Sequence, residues 1–246
     1  GVEQDGAVTA EADMDGGTID NTVIGGTIPV AGTFTTLSAT TGIVLPKTTG
    51  TGIKVEVATP TFPWRDLLGE LFARNTGANK PSRATYIGNI TQAQFAAGKE
   101  EEFEYHIPHD YVAGTDIHLH VHWSHTGATV NGGSLVFTYE ISYSKSHNQT
   151  AFPDSITDTF TGNASSTQRQ QILTEVQISA ASPSATQIDS DDLEPDGVLL
   201  LLFTMTTNNI TVSGGGVPDP FIHYVDIHYQ STGVGTKEKA PDFYAA

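Results

Sequence analysis

The chain has 246 residues, with 11 basic side chains against 28 acidic ones and a formal net charge of −17. That balance excludes a sequence-independent nucleic-acid binder, which needs a cationic footprint to displace counterions, and it disfavours insertion at an anionic membrane. Without cysteine there is neither a disulfide framework nor a thiolate metal site, and no apolar run approaches the length of a transmembrane span.

The length has room for one sizeable core plus an arm, or for two modest domains. Residues 1–15 are small and acidic and lack the basic-then-apolar pattern of a signal peptide. From Gly16 to Gly42 the chain reads GGTIDNTVIGGTIPVAGTFTTLSATTG, too rich in Gly and Thr for a helix. Val23, Ile24, Ile28, Val30, Phe34 and Leu37 are isolated apolar points on a polar ribbon. Such a segment buries too little surface to offset its ordering entropy, so it is expected to order only against copies of itself or a partner. A disordered Gly/Thr linker is the alternative.

The ribbon also carries a motif. Asn21, Ile24, Gly25, Pro29, Gly32, Phe34 and Leu37 fall at the spacing Asn-x-x-Ile-Gly-x-x-x-Pro-x-x-Gly-x-Phe-x-x-Leu. This resembles the short N-terminal motif of many bacteriophage tail fibres and related virion proteins. The resemblance implies an attachment or assembly role for those seven residues, a homotrimer, and tail or capsid proteins as partners. It also implies a virion location, with a host surface glycan or protein as a further partner.

The ribbon continues to about residue 60, with Ile53, Val55 and Val57 alternating as a half-buried strand would. In PWRDLLGELFARN, Trp64, Leu67, Leu68, Leu71 and Phe72 form one apolar stripe behind Pro63, which predicts a helix over about 63–74. Thr91 and Gln94 have capping-box spacing, which predicts a short helix near 91–97 closed by Gly98. These two make a helical shoulder over 61–100.

Strand patterns follow at Phe103–Ile107, Asp116–Ser124, Ser134–Lys145, Ile156–Phe160, Gln170–Ser179, Val198–Thr206 and His223–Gln230, separated by turn-rich segments. That succession predicts an all-β sandwich over 101–234, with 235–246 as a tail. Among sandwiches, a jelly-roll-like one is chosen by analogy with virion appendages. The expected fold is therefore mainly β: a C-terminal jelly-roll-like sandwich, a short helical shoulder and an extended N-terminal arm.

The sharpest local feature is His118, His120 and His122, which a period of two places on one strand face, with Ile117, Leu119, Val121 and Trp123 on the other. The apolar face must meet the core, so the histidines should look outward, to solvent or a neighbouring subunit. Asp226-Ile-His228 echoes Asp116-Ile-His118. A His-x-His strand can chelate a divalent metal, and three copies about a threefold axis would offer six imidazoles. A polar row that only packs is the preferred expectation, with no resident cofactor. Asp189, Asp191, Asp192, Glu194 and Asp196 cluster acidic groups without EF-hand spacing, and read as a solvated turn. Glu100–Glu102 reads as a solvated strand entry.

The chain carries no Gly-x-Ser-x-Gly elbow, no Walker loop, no Gly-x-Gly-x-x-Gly and no His-Glu-x-x-His, so no enzyme is expected. The functional expectation is a structural virion protein, a short trimeric tail fibre anchored by its arm and engaged in host attachment. Its rival is a capsid decoration protein or head fibre, and behind both stands a polysaccharide-cleaving tailspike.

Overall fold

The computed structural model describes residues 64–68 and 77–233. The strands, in chain order, are β1 (Trp64–Leu68), β2 (Ser82–Ile87), β3 (Ile90–Gln94), β4 (Lys99–His106), β5 (His118–Ser124), β6 (Val130–Ser144), β7 (Ile156–Asn163), β8 (Ile172–Gln177), β9 (Ser179–Ala180), β10 (Ile188–Asp189), β11 (Val198–Val212) and β12 (Phe221–Gln230). A single 3-10 turn, Ser190–Asp192, is the only helical element among the described residues.

One sheet runs β2-β3-β12-β5-β8, with β1 added beside β12, and the facing sheet runs β4-β11-β6-β7. The neighbours β3·β12, β4·β11, β5·β8 and β6·β7 are nested antiparallel pairs. A long hairpin rolled into two sheets gives that nesting, which is the jelly roll. Alternation along the strands drives it. On β6, Leu135, Phe137, Tyr139, Ile141 and Tyr143 are buried, and on β11 so are Leu199, Leu201, Phe203 and Met205. From the other sheet come Leu119, Val121, Trp123, Val225 and Ile227. Aromatic rings bridge the layers, Trp123 edge-on to Phe137 at 6.2 Å and Phe95 to Phe203 at 6.0 Å. Two aromatic side chains in the core have their polar groups satisfied: the Trp123 indole donates to Thr174 Oγ1 at 3.0 Å, and the Tyr105 hydroxyl donates to the Val225 carbonyl at 2.9 Å.

Two expectations are corrected. Residues 64–68 are a strand, paired with β12 from Trp64↔Gln230 to Leu68↔Asp226, not the start of a helix. The physical reason is an open ladder. β3 pairs with β12 only at Phe221 and Ile222, which leaves backbone donors and acceptors of Asp226–Gln230 for β1 to take up. Likewise Ile90–Gln94 is a strand in hairpin with β2, not a helix near 91–97. Gly88 and Asn89 make its two-residue loop, Gly88 taking φ 55°, the conformation such hairpins require. The described part of the expected shoulder thus belongs to the sandwich, which begins before residue 101. The expected arm over 1–60, its motif and the tail over 235–246 lie outside the described residues.

A bulge on β12 prepares the candidate site. Ile222 pairs with Trp123 and Tyr224 with His122, so His223 is an extra residue between them. The shift lets Ile222 and then Val225 and Ile227 all point into the core. Tyr224, Asp226 and His228 fall on the opposite face.

Candidate metal centre

β5 lies between β12 and β8, and cross-strand register assembles the site. His118 faces His228 and Gln177; His120 faces Asp226 and Glu175; His122 faces Tyr224 and Leu173. All project from the side of the sheet away from the core. The sequence therefore placed the histidine row on the correct face. It did not foretell its burial: His120 is 5% exposed and Asp226 1%.

The contacts are directional. His120 Nε2 lies 2.6 Å from Glu175 Oε2, and its other nitrogen, Nδ1, lies 3.7 Å from Asp226 Oδ2. His122 Nε2 lies 3.1 Å from Asp226 Oδ1, while its Nδ1 is 3.0 Å from the Gln171 amide nitrogen. The His122 ring stacks on Tyr224 at 4.1 Å, and His228 stands edge-on to His120 at 4.5 Å. The hydrogen bond from His120 holds the Glu175 carboxyl below its ordinary range; burial, the next largest influence, pushes the other way, and the nearby His118, His120 and His228 add smaller lowering contributions.

Two triads bring their ligand atoms within 4.8 Å of one another: His120 with His122 and Asp226, and His120 with Glu175 and His228. Imidazole nitrogen with carboxylate oxygen is a donor set for divalent first-row metals. Of the three histidines singled out in the sequence, His120 and His122 come together and His118 belongs to neither triad. Asp226, Glu175 and His228 complete the triads from other strands. The repeated Asp-Ile-His phrase pointed to Asp226 and His228; nothing local marked Glu175.

The acidic cluster resolves into separate jobs. Asp189 caps the 3-10 turn by accepting from the Asp191 amide, Asp192 pairs with Lys145 at 2.7 Å, and Glu194 accepts from Gln149. Asp196 receives three imidazoles: His109 and His147, each at 2.8 Å, and His106 at 3.1 Å. Glu101, expected to be solvated, is buried, and its carboxylate accepts from the Glu102 amide at 3.1 Å.

No family model and no curated protein matches the chain. Among solved structures, one similar chain is the carbohydrate-binding module TmCBM61, solved in complex with beta-1,4-galactotriose. The identity is 11%, with a TM-score of 0.24, over 68% of this chain and 89% of that one. A likeness at that TM-score carries no argument for the ligand of this chain.

Proposed function

We propose that the chain is a non-catalytic structural protein of a bacteriophage virion, a short trimeric tail fibre. Its N-terminal arm docks on the tail, and its jelly roll is presented to the host surface. The observation that carries this reading is the motif of Asn21, Ile24, Gly25, Pro29, Gly32, Phe34 and Leu37, placed ahead of a sandwich. The described sandwich supports the division of labour, because its apolar residues already form one continuous core from Ala93 to Tyr229. The arm is polar and carries only scattered apolar residues, which suits docking on a partner.

The experiment is a truncation. A chain starting near Thr59 keeps every described strand and should unfold cooperatively, yet fail to join particles assembled without the wild-type chain. Normal incorporation of the truncated chain would refute the arm as the anchor.

A further inference from the structure

We propose that His120, His122 and Asp226 ligate one divalent first-row transition ion on the outer face of the jelly roll, with Glu175 as a positioning residue. The inference rests on side-chain geometry alone and is independent of the virion reading.

The first argument is the placement of donor atoms around Asp226. With His120 Nε2 held 2.6 Å from Glu175 Oε2, it is Nδ1 that lies on the side of Asp226 Oδ2, 3.7 Å away. That separation is too long for a hydrogen bond and suits two ligands of one ion. The ligand atoms of His120, His122 and Asp226 all lie within 4.8 Å of one another. Donors each about 2.0–2.2 Å from a tetrahedral zinc stand roughly 3.3–3.6 Å apart. His120 stands 3.7 Å from Asp226 Oδ2 and His122 3.1 Å from Asp226 Oδ1, and the three ligand atoms lie within 4.8 Å of one another, so side-chain rotation about a bound ion is needed to close the set.

The second argument is the surroundings. Asp226 is 1% exposed and directs one carboxylate oxygen toward each of two imidazoles, those of His120 and His122. Glu175 on the far nitrogen of His120 is the outer-shell carboxylate that fixes the tautomer and orientation of a ligating imidazole. Gln171 stands at the far nitrogen of His122. When His122 Nε2 ligates, Nδ1 bears the hydrogen, and the Gln171 amide turns its oxygen to accept it. Two nitrogens and a carboxylate favour zinc, cobalt or nickel over calcium and magnesium, and three protein ligands leave a fourth position for water.

The test uses the full chain titrated with zinc chloride at pH 7.5 by calorimetry, with metal content measured after gel filtration. Cobalt chloride is added in parallel for its visible absorption. The expected result is one zinc per chain with micromolar or tighter affinity, and a cobalt spectrum of low-coordinate nitrogen–oxygen ligation. Asp226→Asn, which keeps the side-chain shape, and His122→Ala, at a half-buried position, should each abolish stoichiometric binding. Glu175→Gln should weaken it by about 10- to 100-fold, as loss of an outer-shell partner does. His118→Ala should leave it unchanged. Absence of binding in the wild-type chain at about 100 µM zinc, far above the micromolar dissociation constant expected, would overturn the proposal. So would binding that survives both Asp226→Asn and His122→Ala, or binding that Glu175→Gln abolishes while Asp226→Asn retains it. That last pattern would assign the ion to His120, Glu175 and His228.

Discussion

Asp196 and His223 are two titratable groups that the jelly roll shifts below their ordinary values. The hydrogen bond from His147, then that from His109 and the charges of His109 and His106, hold the Asp196 carboxyl below its ordinary 3.8. A lowered carboxyl contributes stability that is complete above its unfolded value and is lost as pH falls through its folded one. Burial lowers His223 below its ordinary 6.5, and its ring makes a 2.8 Å hydrogen bond with the Ser124 hydroxyl. The unfolded chain therefore takes up that proton first, and stability falls as pH drops from about 6.5 towards the folded value. Two separate windows are expected. In thermal unfolding, His223→Gln should flatten the decline between roughly pH 7 and 5, and Asp196→Asn the decline below about pH 4. Wild-type slopes in both variants would show that these two groups do not carry the acid response. Asn suits position 196, where the backbone takes φ 63°.

Individual strands show where sequence patterning sufficed and where it could not. On β5, and on β6 from Leu135 to Tyr143, large apolar residues recur at every second position, so their core-facing sides were legible from the sequence, and Trp123 and Phe137 sit where that period put them. On β11 the run VLLLLF has no alternation, and only pairing with β6 turns Leu199 and Leu201 inward and leaves Leu200 39% exposed. Neighbouring leucines should therefore behave differently: Leu201→Ala should cost about 2–5 kcal/mol in denaturant unfolding, and Leu200→Ala about 0.5 kcal/mol. Equal costs would contradict the register. The misread elements were short, and their fate lay elsewhere in the chain. Thr91 and Gln94 fit a capping box, yet the Gly88-Asn89 loop before them was the stronger signal, a two-residue hairpin turn. Trp64–Leu68 has helical spacing, but the open edge of β12 recruits it, and that edge exists only after β3, β5 and β12 have paired. The candidate metal centre was half legible for the same reason. Parity on β5 gave the histidine row, whereas Asp226 opposite His120 depends on the His223 bulge, which no local pattern announced.

At the scale of the whole molecule, a jelly roll alone hosts many functions, so the functional reading leans on what precedes it in the chain. A net charge of −17 favours solubility at high local concentration. If the Gly/Thr ribbon orders against copies of itself, sedimentation equilibrium of the intact chain should return three times the 26.1 kDa chain mass. A chain that stays monomeric at micromolar concentration would remove self-association as the ribbon's role. The central claim is attachment to a phage tail, and electron microscopy of particles labelled with an antibody against the jelly roll tests it most directly. The account predicts label clustered at the tail, with none on the head shell and loss of label from particles built with the arm-less chain. Label distributed over the head would contradict the account and make the chain a capsid decoration protein instead.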